Sequence, residues 1–253
     1  MAHLKFVLSS LFALGASALE VQQRSWVGWE SIRIAFIFGD SYSKIGFDPD
    51  STQPSVTNPL GNPAFPSMTS SDGPNWVNYL TTKYNVSTLF TYDFAFGGAT
   101  VDADLVPPRI NRSGVLSVKD QVQEEFLPLY TGSSPKAAWT GDDSIFMIWI
   151  GINDIDGGHD LGFDDLDVET QNELMALVGQ IYDAGGRNFF FINVPPINRS
   201  PHAKALGAAA AAKSLRDIGF WNYVINEVLD KPILFPETAG YKNLTDCCVA
   251  YEK

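Results

Sequence analysis

Phe38-Gly39-Asp40-Ser41-Tyr42-Ser43 directly follows a short β-rich run, Ile32 to Phe38. A serine at a sharp strand-to-helix turn exposes its hydroxyl and lies beside backbone N–H groups that can stabilise a developing oxyanion. Alone, Gly-Asp-Ser reads better as a capping turn, because short motifs recur by chance. Two further patterns change that balance: Phe94-Ala95-Phe96-Gly97-Gly98-Ala99-Thr100, and Ile150-Gly151-Ile152-Asn153-Asp154 at the end of another apolar run. A glycine lets backbone approach a substrate carbonyl closely, and an asparagine amide donates a second hydrogen bond. Each has a plain alternative, Gly97-Gly98 as a tight turn and Asn153 as a turn former. Three such patterns in this order are much harder to obtain by accident.

The elements that must position them alternate between strands and helices. Ile32 to Phe38, Ser144 to Ile150 and Asn188 to Val194 are near-continuous apolar runs, as expected of parallel strands buried on both faces. Helices are predicted over Pro74 to Tyr84, with Trp76, Val77 and Leu80 as its apolar stripe, and over Ser117 to Tyr130, where Val118, Val122 and Phe126 recur every fourth residue. Asp167 is read as the cap of a third helix carrying Leu174, Leu177, Val178 and Ile181 and ended by Gly185-Gly186, and Ala203 to Asp230 as a fourth. Asp48 to Pro74 has no periodicity and is expected to run over the sheet's edge. The pattern describes one three-layer α/β/α domain, residues 30–253, with a parallel sheet, whose sites form where loops leave the carboxyl ends of strands. All three motifs fall there.

Charge and composition exclude several classes. A formal net charge of −12 repels phosphate backbones, so nucleic acid is not expected as a partner. The acidic run Asp154, Asp156, Asp160, Asp164, Asp165 and Asp167 does not have calcium-loop spacing, and no metal is assigned to it. His3, Lys5, the apolar stretch Phe6 to Leu14 and Ala16-Ser17-Ala18 read as a signal peptide, residues 1–18, too short for a membrane span. Secretion is the expectation, and acceptor patterns for glycosylation at Asn85, Asn111, Asn198 and Asn243 agree with it. Cys247 and Cys248 are adjacent, and no bridge between them is expected.

The chain resembles the SGNH or GDSL hydrolases, with a nearer likeness to fungal secreted acetylesterases acting on acetylated sugars. Phe38-Gly-Asp-Ser-Tyr-Ser43, Gly61-Asn-Pro63, Gly73-Pro-Asn-Trp-Val77, Gly97-Gly-Ala-Thr100, Trp149-Ile-Gly-Ile-Asn-Asp154 and Val194-Pro-Pro-Ile-Asn-Arg-Ser-Pro201 carry the resemblance. It implies a flavodoxin-like sandwich in which Ser41 attacks the ester carbonyl. The Ser41 and Gly98 N–H groups and the Asn153 side chain would hold the oxyanion. It further implies a small acetylated sugar as substrate and an acyl-Ser41 intermediate; such chemistry needs only side chains and backbone donors, so no cofactor is expected, and the chain is expected to be a monomer. Asp93 stands where many relatives carry asparagine, a departure expected to alter only a local turn. The family's Asp-x-x-His element is not found, so the chain is read as C-terminally incomplete. His159 and His202 are the substitute bases to consider, and a catalytically dead homologue that at most binds carbohydrate is the alternative.

Overall fold

The computed structural model describes residues 28–195, except 72, 110–113 and 159–162. Side chains of 158 and 163–167 are not described. The expected helix over Ala203 to Asp230, the signal segment, Cys247, Cys248 and three of the four glycosylation patterns lie outside these residues; the Asn85 pattern lies within them.

Four strands, β1 (Ile34–Gly39), β2 (Phe90–Asp93), β3 (Ser144–Trp149) and β4 (Phe189–Phe191), form one sheet in the order β2-β1-β3-β4. Every pairing is parallel: Ile34 lies opposite Phe90 and Ser144, and Phe146 opposite Phe189. Parallel neighbours need crossovers, and right-handed crossovers dictate which face each helix covers. The chain moves from β1 outward to β2, then back past β1 to β3. The helix between β1 and β2 therefore packs on one face, and those after β2 and β3 on the other.

The side chains bear this out. On the first face Ala35, Ile37, Ile145 and Met147 pack with Val77 of α1 (Trp76–Thr82). On the second, Ile34, Phe36, Phe38, Phe146 and Ile148 meet Val118, Val122, Phe126 and Tyr130 of α2 (residues 118–130), with Leu174, Leu177, Val178 and Ile181 of α4 (Phe163–Asp183). A short α3 (Ile152–Gly158) follows β3. All six β1 residues are buried, the consequence of covering both faces. Phe36 is the hub of the second face, with ring centroids of Phe126, Phe146 and Tyr92 at 4.9, 5.2 and 5.3 Å.

Two helices differ from expectation. α4 begins at Phe163, four residues before the anticipated Asp167 cap, so Asp167 lies inside the helix and does not cap it. In α2 the segment Gln121–Phe126 is a π-helix, the Leu127 N–H reaching back to the Val122 carbonyl. A strict four-residue repeat drifts by about 120° over twelve residues of α-helix, and wider turns absorb that drift. Val118, Val122, Phe126 and Tyr130 can thus all face the core. Pro128, which lacks an N–H and crowds the carbonyl four residues earlier, suits the same place.

β2 is the strand the sequence patterns did not reveal. Beyond it runs the 48–74 segment, whose Pro59 carbonyl accepts from Thr91 N–H at 3.0 Å along the sheet's outer edge. Truncating the hub tests this account of the core. Phe36→Ala is expected to lower unfolding stability by about 3–5 kcal/mol, read by denaturant titration. A loss under 1 kcal/mol would contradict it.

Candidate active site

β1 ends at Gly39, where the backbone admits no side chain: a β-carbon there would lie 2.2 Å from the Trp149 carbonyl oxygen. The chain turns at once. The Asp40 carbonyl accepts from Ser43 N–H at 3.1 Å and Lys44 N–H at 3.0 Å, and Asp40 Oδ1 accepts from Tyr42 N–H at 2.9 Å. Ser41 sits half-buried at the apex of this turn. The expected strand-to-helix elbow is not what forms, since no helix follows until Trp76. The helix acts on the turn from outside instead. Asn75 caps α1 by accepting from Val77 and Asn78 N–H, and its amide donates to the Ser43 and Lys44 carbonyls at 2.8 and 3.1 Å. A polar residue bridging 31 positions leaves no periodic trace; Asn75 lies in Gly73-Pro-Asn-Trp-Val77, one of the segments that carry the resemblance.

The second loop leaves β2 alongside the first. Phe94 N–H donates to the Ile37 carbonyl and Phe96 N–H to the Gly39 carbonyl, at 2.9 and 3.0 Å, before the chain turns at Gly97-Gly98. Gly98 has φ 89°, a left-handed conformation that glycine adopts without steric cost. Asn153, at the start of α3, donates from Nδ2 to the Ala99 carbonyl at 2.7 Å, and Asp154 Oδ1 accepts from Val101 N–H at 2.9 Å. An asparagine amide has a second N–H, so holding Ala99 leaves one for a ligand. Asp93 does more than shape a local turn. Its buried carboxylate accepts from Ile45 N–H at 3.0 Å and Ala95 N–H at 2.9 Å, tying the exit of the Ser41 turn to the exit of β2. Ser41, Gly98 and Asn153 thus belong to three interlocked loops at the carboxyl edge. They flank the β1–β3 crevice where the strand order reverses, the place at which open α/β sheets bind ligands.

Residues 36–231 match the family described as GDSL-like lipase/acylhydrolase. The chain belongs to that family. It is similar to an acetylesterase of Thermothelomyces thermophilus, 42% identical over 176 residues that make up 68% of this chain and 56% of that protein. The chain thus spans little more than half the length of this curated relative. Among solved structures, a catalytic mutant of an acetylxylan esterase from Geobacillus stearothermophilus shares 15% identity at a TM-score of 0.38, covering 74% of this chain and 72% of the other. A second mutant of an acetyl xylan esterase from that organism gives 16% identity and a TM-score of 0.38, covering 74% and 75%. Likenesses this distant carry no argument about the chemistry of this GDSL-like chain.

The site's electrostatics follow from burial. Asp40 is fully buried, and its Oδ2 has no hydrogen-bond partner among the described residues. Desolvation pushes its pKa up to about 6, against the opposing pull of the Tyr42 N–H. Asp93 is raised as well, chiefly by burial. Lys44 lies over the Phe96 ring, 5.5 Å from its centroid, beside Gly97. Among the described residues no cluster of His, Cys, Asp or Glu has the arrangement of a metal site, and Asp156 pairs with Arg109 at 3.2 Å. His159 and His202, the two bases considered, lie outside the described residues.

These carboxyls make stability depend on pH in a definite direction. An acid with a raised folded-state pKa keeps its proton longer in the folded protein. Its contribution is complete below the unfolded value near 4 and is lost as pH rises through about 6 for Asp40, and through about 7 for Glu125 of α2, which burial and then the nearby Asp48 push up. Tm is expected to climb as pH falls from about 8 to about 5. Asp40→Asn keeps the acceptor for Tyr42 and should remove part of that slope, about 1–3 kcal/mol at pH 8. An unchanged slope in melts across this range would refute the assignment.

Proposed function

We propose that this chain hydrolyses carboxylic esters, removing acetyl groups from small carbohydrate esters through an acyl-Ser41 intermediate. The observation that carries this reading is the locking of the Ser41, Gly98 and Asn153 loops at one edge of the sheet, with the Asn153 amide bonded to the Ala99 carbonyl. Ser41 Oγ attacks the ester carbonyl carbon and gives its proton to a base. The carbonyl oxygen becomes an oxyanion, to which the Ser41 and Gly98 N–H groups and Asn153 Nδ2 donate. Collapse breaks the bond to the sugar oxygen, which leaves with the proton. Water then attacks the acyl-serine, releasing acetate and restoring Ser41. Within this chain, His159 and His202 follow the loops that leave β3 and β4, and they are the residues to test as base.

An aromatic row supports a sugar as the alcohol half. Tyr42, next to the nucleophile, is 39% exposed and stacks on Trp149 at 5.0 Å and 13°, with Trp76 a further 6.3 Å away. Exposed aromatic faces suit the apolar faces of pyranose rings. The same row underlies the second reading, a homologue that binds carbohydrate without turning it over. The leader-like segment 1–18 and the glycosylation patterns support a secreted enzyme, and no helix among the described residues is long and apolar enough to cross a membrane.

Hydrolysis of 4-nitrophenyl acetate and of acetylated xylo-oligosaccharides by the full chain separates these readings. Ser41→Ala should abolish turnover, and Asn153→Ala should lower kcat by about 100- to 1,000-fold with little change in KM. Turnover that survives Ser41→Ala would sink the esterase reading. Binding of the oligosaccharides by calorimetry with no turnover would establish the binding-only form.

A further inference from the structure

The side chain of Gln121 joins the end of β1 to a helix whose own sequence neighbours are 82 residues away. Gly39 N–H donates to Gln121 Oε1 at 2.9 Å, and Gln121 Nε2 donates to the Gly39 carbonyl at 2.8 Å and the Leu116 carbonyl at 3.1 Å. The amide is fully buried and uses both of its N–H groups. β2 pairs with β1 only as far as Asp93, opposite Ile37, so Gly39 has no β2 partner in the ladder. Phe96 N–H still reaches the Gly39 carbonyl, whereas the Gly39 N–H is taken up by Gln121, which supplies the acceptor a longer β2 would have offered and adds a second donor to the carbonyl.

We propose that Gln121 is a positioning residue for the nucleophile: its amide closes the last rung of the sheet and fixes the direction in which Ser41 leaves β1. The claim rests on reading Ser41 as the nucleophile. Gly39 is two residues from Ser41, and both of its polar groups are held by partners outside the turn. The Gly39 carbonyl also accepts from Phe96 N–H, so one peptide group sets the Ser41 turn against the loop carrying Gly98. Gln121 opens the π-helical segment of α2, and the four-residue stripe that this segment permits brings Gln121 and Val122 inward together. Irregular turns of this type recur at functional sites. A polar side chain placed among Val118, Val122 and Phe126 is costly unless all its groups are used, and here they are used on the strand that delivers Ser41.

Two variants of nearly the same shape test this. Gln121→Met removes both donors and the acceptor at every pH. Gln121→Glu turns the donor end into a carboxylate oxygen facing two carbonyls, but a protonated carboxyl restores one donor beside one acceptor. At about pH 8 both variants should lose roughly tenfold or more in kcat on 4-nitrophenyl acetate, with KM within about twofold. Activity relative to the parent should recover as pH falls to about 5 in Gln121→Glu and stay low in Gln121→Met. Taking the ratio at each pH cancels titrations common to all three proteins, Asp40, Asp93 and Glu125 among them. Hydrogen exchange of the segment 38–44 should be at least about tenfold faster in both variants near pH 8, with the 144–149 segment unchanged.

Variants that fold with parental kcat and parental exchange over 38–44 overturn the proposal. So does equal loss of protection over 38–44 and 144–149, which makes Gln121 a general stabiliser. If the parent shows no Ser41-dependent turnover, it is the esterase reading that fails, and exchange over 38–44 against 144–149 still decides the role of Gln121.

Discussion

The close approach of Gly39 to the Trp149 carbonyl constrains the carboxyl edge of this sheet, because it admits no side chain at the last residue of the central strand. A strand buried on both faces and paired on both sides has little freedom of its own. What it can do at its end is decided by the neighbour that crowds it and by the groups that take up its last N–H and carbonyl. Here these are Gln121 and Phe96. The turn at Asp40, the loop at Gly97-Gly98 and the start of α3 are arranged around that terminus. Asp93 and Asn75 hold the chain just beyond it.

The two faces of the sheet do different work. One is lined by small and aliphatic residues, Ala35, Ile37, Ile145 and Met147, and Val77 and Trp76 of α1 pack against it. From the start of α1, Asn75 and Trp76 reach the Ser41 turn, the Trp76 indole donating to Ser43 Oγ at 3.3 Å. The other is an aromatic layer centred on Phe36, with rings from Tyr92, Phe126, Tyr130, Trp139 and Phe146 meeting it edge-on or offset. Such pairs have preferred geometries and resist sliding, so α2 is held in register as well as attracted. The aliphatic face carries the helix that reaches the Ser41 turn; the aromatic face holds α2 in register.

Much of this was legible in the residues. Ser41, Gly98 and Asn153 each stand at or just past an apolar run or a glycine pair, and a parallel sheet brings such positions to one edge. β1 and β3 were recognisable because burial on both faces removes polar alternation. β2 was not, since four residues carrying Thr91 and Asp93 look like a loop; Thr91 is accommodated only because its hydroxyl meets Thr81 at 2.7 Å. The residues that support the site were also hidden. Asn75, Asp93 and Gln121 act across 31, 48 and 82 positions, and each resembles an ordinary cap, turn or helix residue until the chain is folded. Periodicity reports which side of an element is apolar. It does not report which polar group has a partner waiting on another element.

The π-helical stretch of α2 carries a meaning beyond the helix itself. It sets the rotation of the rod, so the aromatic anchors Phe126 and Tyr130 and the amide of Gln121 share one angular setting. An exchange of ring size at either anchor, or relief of the crowding at Pro128, would turn the amide as well as refill the core. On the role proposed for Gln121, interior packing and the aim of Ser41 would be inherited together.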